Sequence, residues 1–412
     1  MIKWIKLAIR NIIRNKRRSF VTMVAIGVGF AAINLFYGYI HNIYEGFRIM
    51  AVQVEGLGHL RINKAGWNEK GKLEPEKYMF SKEDTEKIIK LVREEKNVIL
   101  TTPQIQVTGM VTNGTVSTVF IAQGVVPKDE KIIKGDWSDV KPVHGKELDN
   151  QKEYGVVVAK DLSRYLNLPP GQDGVVMATT LTGQMNALDM QVMGVYDTGS
   201  DFSNDKFMRF TYAFAQSLLD TQSTERIVVL LKDWRMTEQM RTHLSKKLVA
   251  AGIDCEIKTW QELSVMYFKS KIMLDTIFFF LFSIVLVIVI MTTVNTMSMS
   301  IMERTREIGT LRALGLKRRG VSLLFSIEGA LLGVLGSIMG FILFVCVWAF
   351  IRQFPPQYTP PGISISIPLT VDFVPQALLM MMLSLVVLSL FSAIIPARRA
   401  AKKNIVDALG HV

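Results

Sequence analysis

Residues 302–320 read MERTREIGTLRALGLKRRG and stand between two long apolar runs, 277–299 and 321–350. Ile301, Ile308, Leu311 and Leu314 recur at helical spacing, while Glu303, Arg304, Arg306, Glu307 and Arg312 fall elsewhere on the wheel and Gly315 supplies a stop. Each flanking run is long enough to cross about 30 Å of hydrocarbon at about 1.5 Å per residue. A short amphipathic helix is therefore predicted between two membrane spans. A mere loop needs no helix with both signs of charge and an apolar stripe, whereas a helix that docks a partner does.

Two further runs of the same kind, 20–40 and 373–395, make four spans. The chain has 412 residues, 49% of them hydrophobic, and a mean hydropathy of +0.27. The long stretch 41–270 is mixed and polar and reads as a folded domain between the first and second spans. The expected fold class is thus a membrane α-helical protein with four transmembrane helices and an α+β periplasmic domain inserted between helices 1 and 2. Its parts are a cytoplasmic amphipathic helix (1–18), the first span (19–40), the outer domain (41–270) and the second span (271–300). A cytoplasmic coupling helix (301–320), the third span (321–350), an outer loop (351–372), the fourth span (373–396) and a cytoplasmic tail (397–412) follow.

Charge sets the orientation. The net charge is +12, yet residues 41–270 hold 29 Lys and Arg against 30 Asp and Glu. The excess lies in 1–18 (seven basic, no acidic), 303–320 (six basic, two acidic) and 396–412 (four basic, one acidic). That is the positive-inside pattern of an inner-membrane protein, with these three segments cytoplasmic, rather than a nucleic-acid patch. Ile2, Ile5, Ile9, Ile12 and Ile13 give residues 1–18 one apolar face for the membrane interface. The first run, without a small-x-small cleavage site, reads as a retained signal anchor.

In the outer domain, GHLRIN (58–63) predicts a strand, and SKEDTEKIIKLVREEK (81–96) a helix capped by Ser81. Strands follow over 98–126 with an Asn113-Gly114 turn, then RIVVLLKD (226–233), a helix over 236–250 and IDCEIKTW (253–260). Two strand-helix-strand units thus flank an all-β insertion at about 125–215. From Trp260 no breaker appears, so one helix is expected to run from the outer domain into the second span.

Catalytic signatures are lacking. No G-x-x-x-x-G-K-[ST] loop, H-E-x-x-H or G-x-S-x-G occurs, and the five histidines, His41, His59, His144, His243 and His411, show no metal-ligand spacing. His59, beside a strand start, reads as structural. Cys255 and Cys346 are expected as small buried hydrophobes and not as a disulfide. In the third span, Gly329, Gly333, Gly336 and Gly340 form two G-x-x-x-G pairs on one face for helix packing. Glu328 beside them is expected to pair with Arg318 or Arg319.

Three segments carry a family resemblance. The basic run before the first span, E-R-x-R-E-I-G-x-L-R-A-L-G at 303–315 and P-A-R-R-A-A-K-K-N-I-V-D-A-L at 396–409 resemble the FtsX/MacB/LolC/LolE superfamily of ABC transporter permeases. The outer domain adds GHLRINKAGW (58–67) and Thr259-Trp260. In layout the chain is most similar to the LolC/LolE lipoprotein-releasing permeases. The resemblance implies a non-catalytic membrane subunit, with hydrolysis by a separate cytoplasmic ABC ATPase dimer that holds the ATP and magnesium, so that this chain binds no cofactor or metal itself. It implies a second permease copy or a paralogue, and Glu303, Arg304, Arg306, Glu307, Leu311 and Arg312 at the ATPase contact. The implied function is release of lipoproteins to a periplasmic carrier. MacB-like efflux of peptides or drugs, and FtsX-like mechanotransmission to a periplasmic partner, are the alternatives.

Aromatic and Met residues crowd the outer ends of the first two spans. Phe36, Tyr37, Ile40, Tyr44, Met266, Tyr267, Met273, Ile277 and Phe279 are candidates for a lipid-facing cleft that holds acyl chains, with interface belts the plainer reading. In TTLTGQMNAL (179–188), Leu181, Met185 and Leu188 are candidate carrier contacts by analogy with LolC-like members, and a plain hairpin tip is the other reading.

Overall fold

The computed structural model describes residues 2–71, 73–135, 142–149, 154–199, 201–359 and 366–402. Its α-helices of eight residues or more are α1 (Ile2–Arg14), α2 (Lys16–Ile49), α3 (Lys82–Arg93), α4 (Pro127–Lys134) and α5 (Tyr212–Leu219). Then come α6 (Thr237–Ala250), α7 (Val265–Glu303), α8 (Thr305–Ala313), α9 (Arg318–Gln353) and α10 (Pro375–Lys402). Two compact units result, 1–44 with 270–357 and 368–412, and 45–269 with 358–367.

In the first unit, α2, α7, α9 and α10 are long and apolar enough to cross a membrane. All are longer than their apolar runs. In particular, α2 continues past residue 40 through His41 and Asn42 and ends in a π-helical turn, Met50–Val54. The glycines of α9 explain how helices without a hydrophobic drive between them can close up. A Cβ on Gly340 would lie 2.5 Å from the Gly27 carbonyl, and one on Gly329 2.5 Å from Ala393 Cβ. The one face these glycines share meets two helices at different heights. Gly336 and Gly340 receive α2, while Gly329 and Gly333 receive α10. Cys346 is exposed and Cys255 half-buried, so neither is the buried hydrophobe expected. The tail from 403 on lies outside the described residues.

The second unit is built on strands β1 (Leu60–Lys64), β2 (Val98–Thr112), β3 (Ser117–Val125), β4 (Pro142–Gly145), β5 (Gly155–Ala159), β6 (Asp173–Thr179), β7 (Met185–Tyr196), β8 (Phe207–Thr211), β9 (Arg226–Leu231) and β10 (Cys255–Thr259). Four of them run antiparallel in the order β10-β1-β9-β2, with α3 and α6 as the crossovers of a split β-α-β arrangement. Ser81 accepts a hydrogen bond from Asp84 N–H and starts α3, whose Ile88 and Val92 pack with Ile62, Ile227 and Leu244 in one core.

Strand β2 then leaves this sheet. Its first half, to Gln104, pairs with β9, and from Ile105 it pairs with β3 and then β6 around a second core that contains Phe120, Val156, Phe210 and Phe214. The insertion is not all-β as expected. It carries α4, which buries Ile133, and the short helices Lys160–Tyr165, which buries Leu162, and Asp201–Asn204, which buries Asn204.

The helix expected to run unbroken from Trp260 is also corrected. Glu262 Oε2 accepts from Thr259 N–H at 2.9 Å at the start of a single turn, Trp260–Leu263. Ser264 then turns extended (φ −83°, ψ 94°) and its hydroxyl accepts from Tyr267 N–H, starting α7 anew. The polar serine was the breaker.

Candidate functional site

The loop helix α8 ends as its glycine requires. Gly315 adopts φ +97°, Leu316 N–H reaches Leu311 O at 3.0 Å and Gly315 N–H reaches Arg312 O at 3.1 Å, a full Schellman stop. The apolar stripe is divided. Ile301 and Ile308 are buried against Ile12, Val321 and Phe325, whereas Leu311 and Leu314 face solvent, Leu314 at 80% exposure.

Five of the six residues expected at the partner contact are accessible: Glu303, Arg306, Glu307 and Leu311 are exposed and Arg312 is half-buried. Arg304 is the correction, since only 4% of it is exposed and it cannot line a docking face. Its position says why. Ile301, Arg304 and Ile308 stand at i, i+3 and i+7, on the inward stripe.

Buried there, Arg304 Nη1 lies 3.4 Å from Glu328 Oε2 of α9, which also accepts from Asn11 Nδ2 of α1 at 3.3 Å. Glu328 therefore pairs with Arg304 and not with Arg318 or Arg319 as expected. The two glutamates are engaged as well: Glu303 takes Arg18 at 2.5 Å and Glu307 takes Arg14 at 2.7 Å. Reasoning from spacing missed Asn11, Arg14 and Arg18, whose partners lie some three hundred positions away.

At the other end of the first unit, the Tyr37 ring meets Phe278 edge-on at 5.6 Å. Tyr44 donates to Asp275 Oδ1 at 2.6 Å, and Lys271 pairs with the same carboxylate at 2.6 Å. Helices α2 and α7 thus touch where a cleft between them was expected, because aromatic edges and a polar bridge fill the space. Ile40 is buried and Phe36 half-buried, so they do not line an opening either. Met273, Ile277 and Phe279 do face outward from α7, Phe279 at 65% exposure.

In the second unit Met266 is exposed, while Tyr267 packs on Trp260 at 4.7 Å between ring centres and is buried. The 179–188 segment is a hairpin closed by Thr180 and Gln184 with Gly183 at φ +87°. Leu181 and Leu188 pack on the domain core, which removes them as free contacts; Met185 alone of the three is exposed. Asn186 donates to the Ser217 and Leu218 carbonyls and fixes the hairpin to α5.

The charged residues buried in this domain are paired. Arg209 on β8 reaches Glu130 at 2.5 Å and the Val54 carbonyl at 2.8 Å, over the Tyr196 ring, and Lys134 takes Glu130 at 2.9 Å. Burial alone would raise the Glu130 pKa, but Arg209 and Lys134 outweigh it and hold the carboxyl below the usual range. His59 accepts from Leu231 N–H at 3.0 Å, and burial together with Arg48 pushes its pKa down to about 4, so it stays neutral. Among the described residues no His, Cys, Asp and Glu cluster could hold a metal.

Comparison with known proteins places these units. Residues 19–247 match the MacB-like periplasmic core domain and residues 278–405 the FtsX-like permease C-terminal model. The macrolide export ATP-binding/permease protein MacB 1 of Yersinia pestis bv. Antiqua (strain Antiqua) is 25% identical over 65% of this chain and 40% of its own length. The corresponding MacB of Escherichia coli O6:K15:H31 (strain 536 / UPEC) is 24% identical over 98% of this chain and 60% of its own. The chain therefore spans about half the length of these relatives. The periplasmic region of MacB from Actinobacillus actinomycetemcomitans is similar in structure at a TM-score of 0.36, with 15% identity, over 51% of this chain and 93% of that one. With the periplasmic core model covering more than half of its residues and the FtsX-like model its last three spans, the chain belongs to the MacB/FtsX-type ABC transporter permeases, as a multi-pass inner-membrane protein with a large periplasmic domain.

Proposed function

We propose that this chain is the membrane subunit of an ATP-driven complex whose ABC ATPase is a separate polypeptide docking on α8, and that the complex releases lipoproteins from the inner membrane to a periplasmic carrier. The observation that carries the substrate reading is the outward stripe of α7. Met273, Ile277, Phe280 and Ile284 stand at helical spacing, all exposed, and Phe279 adjoins them at 65% exposure. Soft Met and aromatic groups suit acyl chains. Removing a multi-acylated anchor from lipid costs tens of kcal/mol at about 0.8 kcal/mol per CH₂, unless the chains pass directly onto another apolar surface. A second copy or a paralogue would supply the facing wall.

MacB-like export of a peptide or drug is the second reading, favoured by relatives named as macrolide export proteins. Intact mass spectrometry of the chain purified with its co-expressed ATPase separates the two. A lipid-anchored protein bound at about one per complex supports release. A soluble periplasmic adaptor with no acylated species overturns it in favour of export.

A further inference from the structure

Arg304 is buried, yet it is only half used. Nη1 meets Glu328 at 3.4 Å, while Nε and Nη2 have no hydrogen-bond partner among the described residues. Those two groups form the edge of a guanidinium that takes a carboxylate in bidentate fashion. Besides Glu328, the carboxylate of Glu307 stands close to it, one turn along, with Oε2 3.9 Å from Nε. Glu307 currently gives its other oxygen to Arg14 of α1.

The Arg14–Glu307 pair has side chains 61% and 52% exposed and is screened by water, so little holds it. A carboxylate on the buried Arg304 edge would satisfy two donors that now go unmet, and it would act where screening is weak. A displacement of about an ångström brings Glu307 within hydrogen-bond reach of that edge.

We propose that Arg304 is a positioning residue for energy coupling: anchored on Glu328 of the third span, it receives the Glu307 carboxylate when the ATPase engages α8, and Arg14 of the N-terminal helix is released. The exchange binds the loop helix to the third span and removes one of the contacts that hold α1 there, while Asn11 and Ile12 keep theirs. No covalent step is involved. The inference rests on the reading above only in requiring that an ABC ATPase docks on α8, whatever the substrate.

The test uses the full chain in lipid nanodiscs with the ABC ATPase that co-purifies with it, and measures ATPase stoichiometry and permease-stimulated hydrolysis. Arg304→Lys keeps a positive charge for Glu328 but has no second edge, and Glu307→Gln changes a half-exposed side chain without disturbing the fold. Both are expected to lose stimulation at least tenfold, Arg304→Lys with the ATPase retained at wild-type stoichiometry, and the double variant is expected to be no worse than either. Arg14→Gln should stay within twofold of wild type.

Wild-type stimulation in Glu307→Gln, additive losses in the double variant, or a loss in Arg14→Gln equal to that in Glu307→Gln would each overturn the exchange. If Arg304→Lys fails to fold, Glu307→Gln and Arg14→Gln still decide it. An ATPase that never binds even the wild-type chain would instead sink the underlying functional reading.

Discussion

Two buried arginines are handled in opposite ways. Arg209, in the periplasmic domain, is 7% exposed, and its terminal nitrogens reach Glu130 at 2.5 Å and a carbonyl at 2.8 Å. Arg304, beneath the membrane spans, is 4% exposed, holds its carboxylate at 3.4 Å and leaves two donors unmet. Burying charge is costly unless the pairing is close and complete. The first site meets that condition and ties strand β8 to helix α4. The second does not, which is what a joint needs if it is to exchange partners.

Stability measurements can break that contrast. In chemical unfolding of the purified chain, Arg209→Met should cost roughly 3–5 kcal/mol, because it leaves Glu130 buried with Lys134 alone. The next effect is pH-dependent. His59 has its pKa lowered to about 4, whereas the unfolded chain takes up that proton near 6.5. Stability contributed by neutral His59 is present above about pH 6.5 and is lost as pH falls toward 4, on the order of 3 kcal/mol in all. His59→Asn retains an acceptor for Leu231 N–H and should flatten that slope; an unchanged slope would place the titration elsewhere.

Smaller effects test the scaffold on which each arginine sits. Gly340→Leu, forced against the Gly27 backbone, should destabilise the membrane unit by about 1–3 kcal/mol in a thermal melt. Ser81→Ala should cost about 1 kcal/mol through the lost cap of α3. The smallest expected change is the sharpest for the comparison. Replacing Arg304 and Glu328 together by methionine should leave unfolding within about 1 kcal/mol of wild type. A loss as large as that of Arg209→Met would show that the two sites are anchors of the same kind.

Much of the architecture was legible locally. Apolar length marked the four spans, Ser81 and the following acidic residues marked α3, and Gly315 marked the end of α8. The burial of Arg304 was misread: its charge set it with the partner-facing residues, although its spacing puts it on the stripe of Ile301 and Ile308. Ser264 is a similar case: a single capping hydroxyl interrupts a helix whose other residues all favour continuation.

Other features had no local signal. The change of partner along β2 at residue 105, the contact of α2 with α7 through Tyr37 and Tyr44, and the two helices that meet the one glycine face of α9 all depend on what lies opposite. Leu181 and Leu188 look the same as Met185 in a hairpin sequence, and only the packing of α5 beneath them separates buried from free.

What the sequence determined by itself is therefore the four apolar spans, the polar domain between the first and second, and the existence of an amphipathic helix within 302–320. Each of these follows from the solvent preference of contiguous residues. Tertiary structure alone decided which of that helix's charges are free, because Asn11, Arg14 and Arg18 meet Glu328, Glu307 and Glu303 across 285 to 317 positions of chain. Spacing along one helix carries no information about such partners, and burial of an ionic group is set by them.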